Sequence, residues 1–133
     1  NADSLSDQDM ADLAAYYSTH GVKDGDKLPE TPAVQPSTQV AELLKKGACV
    51  SCHGANFSKP IDPSYPKLSG QHADSLYVAL KSYKTEGNAT WGRSNGVMGG
   101  IAKQFSNNEL KAMANYLASL PGDLKTIPES KFR

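Results

Sequence analysis

Cys49-Val50-Ser51-Cys52-His53 decides how this chain is read. Two thiols three positions apart on one turn of helix can each reach one vinyl group of a porphyrin, and the next residue then holds its imidazole beneath the metal. Thioether bonds at Cys49 and Cys52 fix the edge of the ring to the backbone, and His53 ligates the iron. A second strong ligand on the far side makes a six-coordinate electron carrier, whereas an open position admits small molecules. The identity of that second ligand separates the two.

Three methionines compete for the position. Met10 and Met113 lie in stretches with helical periodicity, where a thioether usually fills core space. Met98 sits in Asn95-Gly96-Val97-Met98-Gly99-Gly100, too rich in glycine for the interior of a helix or strand. It is expected on a loop that brings sulfur to a flat ring, which makes it the expected distal ligand. His72, at the start of a predicted helix, is a weaker competitor, since a lone histidine there is more often a surface or capping residue. His20 lies beyond the first helical stretch, far in sequence from the motif.

The remaining pattern is helical. Ser106-Asn107-Asn108-Glu109 reads as a capping box, after which Leu110, Met113, Ala114, Leu117 and Leu120 follow helical spacing until Pro121-Gly122, so a helix is predicted within 105–120. A middle helix over about 71–85 presents Leu76, Leu80 and Tyr83. A shorter one over 38–46 presents Val40, Leu43 and Leu44 before Gly47. No segment alternates convincingly with period two. Pro60, Asp62, Pro63 and Pro66 break any helix between Gly54 and Gly70, and the glycine-rich run over 87–100 does the same further on. Both stretches are expected as long loops wrapping the ring.

With these motifs in order, the chain from about 38 to 120 resembles a class I cytochrome c domain, most closely one half, the C-terminal one, of the bacterial dihaem cytochromes c4. The resemblance rests on Cys49-Val50-Ser51-Cys52-His53-Gly54, Tyr65-Pro66-Lys67-Leu68-Ser69-Gly70-Gln71, Gly92-Arg93-Ser94-Asn95-Gly96-Val97-Met98 and the closing helix. It implies an all-α class I cytochrome c fold, helices and long loops wrapped around one covalently attached haem c. It also implies that the Pro66 carbonyl accepts a hydrogen bond from His53, and that Trp91 and Arg93 donate to the haem propionates. The function implied is one-electron transfer in a respiratory chain, with no catalytic residues. An upstream quinol-oxidising complex or dehydrogenase and a downstream terminal oxidase or reductase would be the partners, and an exposed haem edge near Ala48, Cys49 and Gly99 the exit for the electron.

Two other readings stay open at this stage. One is a haem domain or subunit of a larger oxidoreductase, a dehydrogenase or a sulfur-compound oxidising enzyme, although no paired carboxylates stand by Met98 and no cysteine is left over. The other is haem-free, with Cys49 and Cys52 as half of a zinc site or as a dithiol redox pair. A zinc site needs two more ligands, and only His20 and His72 stand beside His53.

Composition agrees with the haem reading. A content of 38% hydrophobic residues is modest for a chain of 133 unless a large apolar group fills part of the core. Both cysteines are consumed by the motif, leaving no disulfide framework. Fourteen basic residues balance fourteen acidic ones, which argues against a nucleic-acid partner and against steering by overall net charge. No apolar run is long enough to span a membrane, and the N-terminus lacks the basic and apolar regions of a signal peptide. The chain is thus expected to be soluble and mature. Because covalent haem is attached outside the bacterial cytoplasm, the resemblance implies a periplasmic protein whose signal peptide is already removed or lies outside this chain.

One further pattern concerns the N-terminus. Residues 5–17 repeat residues 105–117 at an offset of 100, keeping the serine cap, the acidic third position, the apolar spacing and a tyrosine. The expected organisation is a helix within 1–20 resembling the closing helix of a preceding cytochrome domain, a linker over 21–36, the cytochrome c domain over 37–122 and a tail over 123–133. Met10, Leu13, Ala14 and Tyr17 form an apolar stripe that needs a partner surface. A second haem domain, or a homodimer through this helix, would supply one.

Overall fold

Capping and apolar spacing set six helices in a computed structural model that describes residues 4–18, 31–85 and 91–122. The chain forms two units, one of Asn1–Lys27 with Asp123–Arg133 and the other of Leu28–Gly122. The first contains α1, Asp7–Ser18. The second contains α2 (Thr38–Lys46), α3 (Cys49–His53), α4 (Ala73–Lys84), α5 (Gly96–Ala102) and α6 (Asn107–Ser119). No strand occurs among the described residues, as the absence of period-two alternation predicts.

α6 is the spine of the larger unit. The Ser106 hydroxyl accepts from the Glu109 backbone N–H at 3.2 Å while the Glu109 carboxylate accepts from the Ser106 N–H at 2.7 Å, so two otherwise orphaned donors are satisfied at its start. Leu110, Met113, Ala114 and Leu117 then face inward, with Leu110 fully buried. Each such side chain contributes about 1.5–3 kcal/mol by leaving water. α2 and α4 pack on this face, α5 packs on α4, and α3 packs on α2. Val40, Leu43 and Leu44 from α2, Leu76 from α4, and Phe57, Phe105 and Leu120 between helices complete the core.

Two loop positions close the unit through glycine. Gly54 ends α3 at φ +87°, where a Cβ would lie 2.3 Å from the Lys59 carbonyl oxygen. Gly70 sits at φ +72°, where a Cβ would lie 2.7 Å from the Gly122 backbone, and its N–H donates to the Leu117 carbonyl at 3.0 Å. Neither position accepts a side chain. At the other end, the Tyr116 hydroxyl donates to the Val34 carbonyl at 2.9 Å, tying the segment before α2 to α6, and burial pushes this phenol above its ordinary value.

The expectation of an irregular segment around Met98 is corrected: 96–102 is helical. Three glycines each cost about 1 kcal/mol relative to alanine in a helix. The Asn95 side chain offsets part of this by accepting from the Val97 and Met98 N–H groups at 3.1 and 3.0 Å, and Ala102 is buried against the core.

α1, described by itself, begins with the same device as α6. The Ser6 hydroxyl accepts from the Asp9 N–H at 3.1 Å, and Asp9 accepts from the Ser6 N–H at 3.1 Å and from its hydroxyl at 2.8 Å. These bonds hold the Asp9 carboxyl below its ordinary value. Met10 is 40% exposed and Leu13 44%, so the expectation that Met10 fills a core is not met. His20, the side chain of Tyr17 and the tail over 123–133 lie outside the described residues.

Candidate functional site

The haem motif occupies a single helical turn bracketed by two left-handed residues. α2 ends at Gly47, Ala48 reverses the chain at φ +50°, and α3 carries Cys49 to His53. Phe57 lies beyond it at φ +58°, an unusual conformation for a bulky side chain. Its carbonyl accepts from the N–H groups of both Leu68 and Ser69, at 2.8 and 3.0 Å, so it anchors the Pro66–Leu68 segment against the motif. Phe57 was not singled out in sequence, where nothing marks a phenylalanine as left-handed.

Both thiols, His53 and Met98 line one cavity of about 330 Å³, inside the roughly 300–1,000 Å³ typical of cofactor sites. Its wall is apolar, with Leu44, Phe57, Leu68, Leu80, Ile101 and Leu117 among the side chains facing it. Two other hollows of about 380 and 390 Å³ are more open and are lined by neither cysteine, nor by His53 or Met98. Cys49 and Cys52 are partly buried free thiols. Burial pushes the Cys49 thiol up, a backbone hydrogen bond opposes this, and the neighbouring Cys52 adds to it.

His53 is buried, and its Nδ1 lies 2.9 Å from the Pro66 carbonyl oxygen. A carbonyl can only accept, so Nδ1 carries the proton and Nε2 keeps its lone pair. The Tyr65 ring stands 6.5 Å from the imidazole and tilted by 52°, within the range of a favourable aromatic pair. Two free thiols on one turn, an imidazole with a single available nitrogen, a thioether and an apolar wall form the donor set a covalently held porphyrin requires. The residues present fit the group.

The other expected residues divide. Pro66 and Arg93 line the cavity. Trp91 lines the adjoining polar hollow, which Arg93 also borders, and is 55% exposed rather than a core tryptophan. Met113 is buried beside the cavity within the core. His72 occupies the N-cap position of α4, makes no side-chain capping bond and does not face the cavity. Among the described residues, no three His, Cys, Asp or Glu side chains gather to hold a metal ion by themselves, so the zinc reading gains no ligand set there. Asn95 also lines the cavity and was passed over in sequence, although an asparagine just ahead of a short apolar run is a cap signal.

Charge is not evenly spread. Residues 37–121 carry nine Lys and Arg against five Asp and Glu, a net +4, while residues 1–36 carry two against seven, a net −5. The overall balance thus conceals a basic domain, whose own charge can orient partners even though the chain as a whole carries no net charge. Among the described residues, no helix is long and apolar enough to cross a membrane.

The comparisons agree with this geometry. The family model for Cytochrome c matches residues 37–121. The chain is 34% identical over 127 residues to a cytochrome c4 of Azotobacter vinelandii, covering 89% of this chain and 57% of that protein. It is 38% identical over 73 residues to a cytochrome c-553 of Nitratidesulfovibrio vulgaris, covering 55% of this chain and 70% of the relative. A thiosulfate dehydrogenase electron acceptor of Thiomonas intermedia is 30% identical over 93 residues, covering 70% of this chain and 41% of that protein. The chain thus spans little more than half the length of the cytochrome c4 relative. No solved structure matches it. An all-helical domain with both thiols and a buried imidazole on one apolar cavity, matched by the family model over nearly its whole length, belongs to the cytochrome c family of electron-transport proteins that carry covalently attached haem c.

Proposed function

We propose that this chain is a periplasmic electron carrier of a respiratory chain, in which His53 and Met98 ligate the iron and Cys49 and Cys52 tether the ring. The observation that carries this reading is the placement of both thiols, His53 and Met98 on the wall of a single apolar cavity. Bound haem supplies reversible one-electron oxidation and reduction of its iron. Cys49 and Cys52 fix position through two covalent links. The hydrogen bond to Pro66 turns the Nε2 lone pair of His53 outward from the loop and raises its basicity. The Met98 thioether favours the ferrous state, and the apolar wall keeps water away. Arg93 offers a cation to the propionates, with Trp91 beside it. Holding the same two donors in both oxidation states keeps rearrangement small.

The chain reads as part of a dihaem protein, with α1 as the closing helix of a preceding domain. Its capping box repeats that of α6 at an offset of 100, and its Met10 and Leu13 face is exposed. A homodimer through α1 is the alternative cover. The likeness to thiosulfate dehydrogenase electron acceptors favours a second reading of the partner, a sulfur-compound dehydrogenase that passes electrons to this chain or holds it as a subunit.

The test is the intact mass and ferric spectrum of protein expressed with a full haem-attachment system, alongside Met98→Ala. One covalent haem and a sulfur-to-iron band that the variant loses, together with carbon monoxide uptake by the reduced variant alone, are expected. A colourless product, or an unchanged spectrum in the variant, overturns the assignment.

A further inference from the structure

α5 is a helix that its own sequence does little to support. It has seven residues, three of them glycine, and a helix this short has no intrinsic stability in water. Packing does not explain all of the glycines. A Cβ at Gly96 or Gly100 would meet no described atom within 4 Å, and neither residue lines the haem cavity. The weakness at these two positions therefore serves no close approach among the described residues, and α5 depends on what holds its ends.

One end is held by Asn95. Its backbone is extended, at φ −153° and ψ +118°, and its side-chain oxygen accepts from two consecutive N–H groups, those of Val97 and Met98. Its own carbonyl accepts from the Gly99 N–H at 2.8 Å. Three bonds from one residue thus fix the turn from which the Met98 side chain departs, and one of them grips the peptide N–H of Met98 itself. Val97 and Met98 both border the cavity, but Val97 stays 67% exposed at its rim whereas Met98 is partly buried.

We propose that Asn95 is a positioning residue for Met98, its side-chain carbonyl holding the first turn of α5 so that the thioether stays directed into the haem cavity. This rests on Met98 being the distal ligand. Loss of the acceptor frees two N–H groups to seek water and lets the turn fray, and each fraying event withdraws the sulfur. Asparagine, aspartate and serine cap well, threonine less so and alanine poorly, which gives the proposal a graded signature.

The experiment measures the rate at which imidazole displaces the sixth ligand of the ferric holoprotein in the native chain, Asn95→Ala, Asn95→Ser, Asn95→Asp, Asn95→Thr and Met98→Ala. Imidazole uptake roughly fivefold faster in Asn95→Ala is expected from the size of a lost cap. The sulfur-to-iron band should weaken in that variant, the serine and aspartate variants should stay near native, and threonine should fall between. Should the alanine variant not accumulate as folded holoprotein, the threonine variant carries the comparison. Native-like uptake in every Asn95 variant while Met98→Ala is fast overturns the role of Asn95 and leaves Met98 as ligand. Uptake by the native chain as fast as by Met98→Ala shows that no sulfur guards the position, and both assignments fall.

Discussion

His53 and Pro66, thirteen residues apart, are joined through the imidazole Nδ1 and a backbone carbonyl at 2.9 Å, and this bond settles which nitrogen faces the cavity. Because the acceptor is main chain, no substitution deletes it. Pro66→Ala instead releases the fixed φ and loosens the loop. A weaker acceptor makes the imidazole a poorer donor and the ferric state less favoured, so the midpoint potential should rise. The shift expected is tens of millivolts, on a scale of about 59 mV per tenfold change in relative affinity. A spectroelectrochemical titration reads it directly.

Gly54→Ala and Gly100→Ala are the same chemical change with opposite outcomes. At Gly54 the left-handed backbone alone costs roughly 1–3 kcal/mol, and the new methyl meets the Lys59 carbonyl. At Gly100, inside α5 with no described atom in reach, alanine should stabilise by up to about 1 kcal/mol. Denaturant melts of the two holoproteins should therefore move in opposite directions from the native midpoint.

Tyr116→Phe should cost about 1 kcal/mol at neutral pH by leaving the Val34 carbonyl without its donor. Its pH signature is alkaline. Burial raises the folded phenol above the ordinary value of 10.0, so its neutral form adds stability below pH 10 that is lost as pH rises through the higher folded value. Stability measured from pH 9 upward should fall less steeply in the variant than in the native chain.

Electron exchange with small charged reagents should reveal the net +4 of residues 37–121. A multiply anionic oxidant should react more slowly as salt rises and a cationic one faster, with most of the change complete by about 0.15 M, where screening acts within roughly 8 Å. The ratio of the two rates against ionic strength tests it, and equal slopes would show that charges near the exposed edge cancel locally.

The elements most legible in sequence were those whose signal is local. The Ser106–Glu109 box, the 38–46 helix and the Cys49–His53 turn all carry their cause within a few residues, and each appears close to its expected bounds. The four markers between Gly54 and Gly70 likewise kept that stretch free of helix. α5 was misread because glycine content outweighed a single asparagine, whose effect depends on a side-chain oxygen meeting two N–H groups. The left-handed backbone at Ala48 and Phe57 had no sequence mark, since tertiary packing imposes it on residues that ordinarily avoid it. The cavity itself is non-local: residues from 44 to 117 meet there, and beyond the motif and Met98 only Pro66 and Arg93, through the family resemblance, were placed at it beforehand.

Tyr116 grips Val34 just before the domain begins, and Gly70 lies against Gly122 where it ends, both through α6 or its immediate continuation. A pull on the chain from either side is therefore met at one helix before it can reach the motif or Met98. Such a unit can be strung in tandem, with tugging by its neighbours absorbed at the seam, and first rupture in a single-molecule stretching trace should come earlier in Tyr116→Phe.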